Sequence, residues 1–301
     1  MKILITGGRG QLGNELRRCL ETMEAEIGPI PEEYRDAEVD YIDYQVLDIS
    51  DADAVDAWYA EHGPYDLTIN CASITNVDGC EQNEAAALHV NAMGAENIAR
   101  AAQACGGKVV HISTDYVFPG TTSVPRVETD AVEPISAYGR TKWEGEVLTR
   151  AACEKSFIVR TAWLYGYIGK NFVKTMLRLA RENGKISVVN DQMGNPTSAN
   201  DLAYEILKIA TTDDYGTYHC TNNGTCSWFD FACAIVDTAG IECEKEGLSS
   251  AEYKERFPLS ADRPAYSSLE NAHLAATIGD EMRPWQEALA TYMDRFEELA
   301  D

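Results

Sequence analysis

One pattern constrains the fold of this chain more than any other. An apolar strand-like run, a loop and a helical run repeat through the first part: "KILIT" before "QLGNELRRCLE", "YDLTINCA" before "EQNEAAALHVNAMGAENIARAAQAC", "GKVVHIST" before "SAYGRTKWEGEVLTRAA", and "SFIVRTAWLYG" before "NFVKTMLRLARENG". Strands that alternate with helices form a parallel sheet covered on both faces, since each crossover helix must pack back on it. Ligands of such sheets bind where the C-terminal strand ends open. The acidic stretch 28–45 has weak periodicity and is expected to be a loop with a short strand at its end. After about residue 165 the beat becomes irregular, with an extra strand-like "KISVVND" and the small polar "YHCTNNGTCSW".

The first loop carries Gly7, Gly10 and Gly13 in "ITGGRGQLG", straight after a strand and before a helix. This spacing suits a tight turn, close backbone approach to a pyrophosphate, and phosphates seated at the helix N-terminus. The expected architecture is therefore an α/β, Rossmann-type doubly wound parallel sheet with a smaller C-terminal substrate-binding lobe. Residues 1–165 would form the NAD(P)-binding domain, with a return near 185–210, and 166–301 mainly the lobe. Arg9 either contacts an adenosine 2′-phosphate or is a solvated loop arginine. Asp48 either bonds the adenine amino group or caps the helix beginning near Asp51.

Composition excludes several partners. The net charge of −24 over 301 residues repels nucleic acid and anionic membrane surfaces alike. No run of about 18 apolar residues appears and strand-like residues follow Met1 directly, so neither a membrane span nor a signal peptide is expected. Nine scattered cysteines without a C-x-x-C pair are expected to be reduced, in a cytoplasmic protein.

"SAYGRTKWEGE" sets Tyr138 and Lys142 four residues apart, on one helix face. An ammonium beside a phenol favours phenolate, so the tyrosine's pKa is expected to fall from roughly 10 toward neutrality, where it can act as acid or base. Thr114, at the end of "GKVVHIST", would bind the substrate oxygen as charge develops.

With these residues the chain resembles the extended short-chain dehydrogenase/reductases, whose G-x-x-G-x-x-G loop it carries, and more narrowly the dTDP-4-dehydrorhamnose reductase family. The narrower likeness rests on "GGRGQLG", "NCASITNVDGCE", "HISTDYVFPG", "VETDAVEPISAYGRTKWEGE", "IVRTAWLYG", "NFVKTMLRLA", "VVNDQMGNPT" and "DRPAYSSL". The resemblance implies Thr114, Tyr138 and Lys142 as catalytic residues, with Asp115, Tyr116 and Trp163 at the sugar. It implies Gly7, Gly10, Gln11, Leu12, Gly13, Asp48, Ile49, Ala72, Ser73 and Ile74 along the cofactor, NADPH or NADH. Asn91 would face the active site or act as a buried packing amide; Arg263 would approach the substrate or form a structural salt bridge. The implied reaction reduces the 4-keto group of a dTDP-6-deoxyhexulose to dTDP-L-rhamnose.

Two features depart from the family pattern. Dimeric members hold Mg²⁺ through interface glutamates, and the position that would supply one is Asn200, a poor ligand for a hard cation. No metal is therefore expected, and the chain should be a monomer or weak homodimer. The connection before "LDISD" is long and acidic, which leaves NADH, favoured by acidic groups, and NADPH, favoured by Arg9, both open. The rival functions are a sugar-nucleotide epimerase or dehydratase, and a non-catalytic subunit like the methionine adenosyltransferase β-subunit. A dehydratase needs a glutamate where Tyr116 stands, which favours reduction.

Overall fold

The computed structural model describes residues 1–300. A six-stranded sheet is formed by β1 (Lys2–Thr6), β2 (Glu38–Ile42), β3 (Leu67–Asn70), β4 (Lys108–Thr114), β5 (Ser156–Thr161) and β7 (Gly216–His219), while β6 (Lys185–Val189) and β8 (Glu244–Leu248) pair apart from it. The order is β7-β5-β4-β3-β1-β2, and every neighbouring pair is parallel. The chain thus runs outward from β1 in both directions, which opens a crevice at the C-terminal ends of β1 and β3.

Strand alternation decides the packing. Ile3 and Ile5 of β1 face α1 (Gln11–Thr22) and α6 (Ala199–Thr211), contacting a core that includes Leu16, Leu202 and Ile206. Leu4 faces the other way, toward α2 (Ala52–His62) and α3 (Ala95–Ala104), with Val55 and Ile98. Both faces are covered, which is why these strands are apolar runs and do not alternate with polar residues. Ahead of α3, His89–Gly94 winds as a π-helical stretch.

The return to the sheet overlaps only the later part of residues 185–210 and runs beyond it. Lys185–Val189 pairs with β8 in the lobe, and it is α6 and β7, residues 199–219, that rejoin the sheet layers. The lobe has its own core, in which α5 (Phe172–Asn183), α7 (Trp228–Thr238) and α8 (Trp285–Asp294) bury Val173, Leu177, Phe231, Ile235 and Leu289. Arg283 ties the two regions together: its guanidinium donates to Asp201 on α6 at 2.7 Å and to Glu26, just after α1, at 3.0 Å.

The nine cysteines are all free, and among the described residues no helix is long and apolar enough to cross a membrane.

Candidate active site

The strand ends of β1, β3, β4 and β5 surround a cleft of about 510 Å³. The glycine loop forms one wall. Gly7 has φ +65°, and a Cβ there would lie 2.8 Å from the Cys71 carbonyl carbon, so the loop presents bare backbone at this point. Gly10 stands at the N-cap of α1 and offers no side chain to the helix's free N–H groups, leaving them for an anion. A second hollow of about 350 Å³ continues between β1, β2 and β3, lined by Asp48, Ile49, Ala72, Ser73 and Ile74. A backbone cradle at a helix N-terminus, followed by a hollow of this size, fits a dinucleotide.

Most of the expected cofactor residues line these two spaces: Gly7, Arg9, Gly10, Gln11, Leu12, Gly13 and Ser73 in the cleft, and Asp48 to Ile74 in the hollow. Asp48 is not the cap of α2, because Asp51 takes that place by accepting from Ala54 N. Instead Asp48 Oδ1 accepts from Ser50 N and Oγ, closing a small turn. Arg9 donates through its backbone N to Asp43 Oδ2 and through Nη1 to Gln45 Oε1. Asp43, at the end of β2, was not singled out from the sequence; its signal was a carboxylate directly after a strand within an already acidic stretch.

On the far wall stand Thr114, Asp115, Tyr138, Lys142 and Trp163. Ser136 caps α4 (Ala137–Ala152) by accepting from Gly139 N. A Cβ on Gly139 would lie 2.2 Å from Tyr116 O, so only glycine lets this helix press against the end of β4. That approach brings the Tyr138 phenol to the Thr114 hydroxyl, its hydrogen-bond partner. Thr114 Oγ1 donates to Asp115 Oδ1 at 2.9 Å and accepts from Tyr116 N at 3.2 Å. Asp115 is buried, and Oδ2 has no hydrogen-bond partner. Burial pushes its carboxyl up to about 6, against the hydroxyls of Ser267 and Thr114.

The expectations for Tyr138 and Tyr116 change here, and the structure favours the second of the two readings left open for Asn91 and for Arg263. The phenol of the partly buried Tyr138 is raised above its usual pKa, because desolvation outweighs the hydrogen bond with Thr114. Burial also brings Lys142 down to about 8, with Glu146 opposing. Asn91 lies behind the cleft, fully buried: Oδ1 accepts from Ser73 Oγ and Ile74 N, and Nδ2 donates to Ile74 O and Thr141 Oγ1. It clamps the cofactor loop to α4 and has no capacity left for a ligand. Arg263 donates to Asp78 Oδ1 at 3.0 Å and is a hydrogen-bond partner of the Tyr116 phenol, and Tyr116 packs edge-on to Tyr138 with ring centroids 5.7 Å apart; the cleft is lined by Tyr138 and not by these two.

Other cleft residues had escaped notice. Gly169 and Lys170 come from the loop before α5, and Thr161 from the end of β5. A loop following a strand of a parallel sheet was the available signal. Trp163, with φ +47°, stacks on Trp228 of α7 at 3.6 Å and 8°.

Asn200 is 1% exposed: Oδ1 accepts from Glu26 N, and Nδ2 donates to Glu15 Oε2. Glu15 and Glu26 are already neutralised by Arg18 and Arg283. A cation there would meet two guanidinium groups, so these residues do not fit magnesium.

The model of the RmlD substrate binding domain family matches residues 1–298. The spore coat polysaccharide biosynthesis protein SpsK of Bacillus subtilis is 37% identical over 100% of this chain and 99% of its own length. A crystal structure of a dTDP-4-dehydrorhamnose reductase from Clostridium acetobutylicum superposes with a TM-score of 0.91 at 45% identity, covering 99% of this chain and 100% of that one. The dTDP-4-dehydrorhamnose reductase of Bacillus anthracis, solved in complex with NADP, gives 0.89 at 38% identity, covering 98% and 99%. The chain belongs to the RmlD substrate-binding domain family, that of the dTDP-4-dehydrorhamnose reductases.

Proposed function

We propose that the protein reduces the 4-keto group of dTDP-4-dehydro-6-deoxy-L-mannose to give dTDP-L-rhamnose, using NADPH or NADH. The observation that carries this reading is the single cleft in which a bare glycine cradle faces Thr114, Tyr138 and Lys142. A nicotinamide held between the glycine cradle and Lys142 would supply the hydride for the 4-keto carbon. The chain's own residues handle binding and the proton. Raised above its usual pKa, the Tyr138 phenol is protonated at neutral pH and gives its proton to the sugar O4 as negative charge develops there. The Thr114 hydroxyl holds the same oxygen. Lys142 is charged below about pH 8 and binds the cofactor's ribose hydroxyls. Asp115 Oδ2, without a partner, accepts from a sugar hydroxyl.

Tyr116 stands where elimination of water would need a second carboxylate, and its phenol is raised by burial, so the chemistry stops at reduction. We also take the chain to be a monomer or weak homodimer with no magnesium bridge, on the arrangement around Asn200; sedimentation with and without EDTA should give one species. The deciding experiment supplies the 4-keto sugar nucleotide from its upstream dehydratase and epimerase and follows NADH and NADPH oxidation. Turnover only with that sugar is expected. Its absence, or NAD that copurifies without exchanging, would remove the reductase reading.

A further inference from the structure

His111 lies within β4, 1% exposed, and has no part in the chemistry above. Its Nε2 is 3.4 Å from Lys142 Nζ, and its Nδ1 is 3.2 Å from Asn70 Nδ2. Asn70 Oδ1 in turn lies 2.6 Å from Thr6 Oγ1. In the sheet register Thr6 is paired with Asn70, and Asn70 with His111. Three polar side chains therefore cross three adjacent strands in one line, in a layer otherwise apolar, and the line ends at the amine on the cleft floor.

Burial, with Lys142 and Arg150 nearby, holds the imidazole neutral, so only one ring nitrogen carries a hydrogen. An ammonium has donors only. When Lys142 is charged, Nε2 must accept from it, Nδ1–H must donate, and Asn70 must turn its amide oxygen to the ring and its nitrogen to Thr6 Oγ1; Ala72 N, which donates to Asn70 Oδ1 at 3.3 Å, then keeps Thr6 Oγ1, at 3.4 Å, as its acceptor. When Lys142 is neutral the order reverses: Asn70 donates to Nδ1, and Nε2–H donates to the amine.

We propose that Thr6, Asn70 and His111 form a positioning row that fixes the amine of Lys142 at the cleft floor and, by accepting from it, favours its charged form. This rests on the reductase reading, in which that amine holds the cofactor ribose. The other groups facing Lys142 are Tyr138 and Glu146 on its own helix and Cys71 at the end of β3. Glu146 is engaged by Arg160 of β5, Ser113 of β4 and Arg150, which leaves the imidazole as the neutral acceptor nearest the amine.

The test compares His111→Gln, which keeps a polar atom near the Nε2 position, with His111→Asn, which keeps one only near Nδ1. A hydrogen bond to the charged form is the stronger of the two, so its loss lowers the lysine's pKa. His111→Asn should move the alkaline limb of kcat down by about one pH unit and weaken NADH binding, read by fluorescence titration without sugar, about tenfold. His111→Gln should stay within about threefold on the same measure. Thermal melts establish that each variant is folded, and Asn70→Ser, which frees Nδ1, should shift the limb the same way if His111→Asn does not fold. Equal effects of Gln and Asn, an unmoved limb or a limb moved upward would overturn the row. Failure of turnover in the wild type with the binding contrast intact would overturn the reductase reading instead.

Discussion

The sheet half and the lobe place their functional atoms by different means. In the sheet half, positions follow from backbone ladders: Thr6, Asn70 and Thr114 stand at or near strand ends because β1, β3 and β4 run parallel in fixed register. Apart from the β6–β8 pair, the lobe has strands of two residues, such as Leu164–Tyr165, Thr197–Ser198 and Cys226–Ser227. Buried amides hold it instead. Asn222 Oδ1 accepts from Ser198 N while its Nδ2 donates to Asp201 Oδ2; Asn195 Oδ1 accepts from Leu269 N; and Asn271 bridges both backbone groups of Thr221. Such amides are replaceable one at a time, whereas a ladder is not. On the proposed function, chemistry that must not drift sits on the ladders, and substrate recognition falls to the adjustable part. Damage to the sheet half should therefore appear in kcat and cofactor binding, and damage to the lobe in stability and in KM for the sugar.

The largest expected effect sharpens that contrast. Tyr138→Phe removes the proton donor while keeping the ring against Tyr116, so kcat should fall about a thousandfold with cofactor affinity unchanged. Pre-steady-state hydride transfer and cofactor titration measure the two separately. Asp201→Ala is the corresponding blow at the seam between the regions. It strands Arg283, which then has only Glu26 as a carboxylate partner, and leaves Asn222 Nδ2 without that acceptor. A loss of about 3 kcal/mol in urea unfolding is expected, with kcat per folded molecule nearly unchanged. A large fall in kcat would show that the seam also sets the chemistry. Gly7→Ala comes next: its positive φ and the Cys71 backbone together should cost about 1–3 kcal/mol of strain or displacement, seen as weaker NADH binding.

The same division governed what could be seen in the sequence. The glycine loop, Tyr138 with Lys142, and Thr114 at a strand end were legible because backbone rules give each a local spacing. Asn91 was legible only as two open readings: its role depends on Ser73–Ile74 and Thr141 meeting it from two segments, and no spacing encodes that. The direction of the Tyr138 shift was misjudged for a related reason, since a charge four residues away is visible in a sequence and burial is not. β7 was missed because its partner β5 lies 55 positions or more earlier, and the lobe strands because two residues carry no period.

Electrostatics at the cleft supply a smaller test. Asp115 is raised to about 6 and Lys142 lowered to about 8, so both are charged only between those values. Below about 6 the carboxylate gains its proton and no longer accepts fully from the sugar; above about 8 the amine loses its charge. Activity should form a bell over that window, falling about tenfold per unit outside it. Asp115→Asn should flatten the acid limb and leave the alkaline one.

The smallest effect probes a place where the lobe packs against a cleft residue. Trp163 holds a left-handed backbone, φ +47°, which a bulky residue adopts only when its surroundings enforce it. The enforcement is a sandwich. Trp228 stacks on one face at 3.6 Å, and Gly194 lies so close that a Cβ there would be 2.5 Å from the indole. Trp228→Leu keeps apolar bulk but loses the stack, worth about 1 kcal/mol. On the proposed function, in which Trp163 contacts the sugar, KM for the sugar nucleotide should rise about fivefold while kcat and NADH affinity hold. A matching fall in kcat would mean that the stack also orders Thr161 at the end of β5, and that the lobe helps set the ladder positions from which it otherwise stands apart.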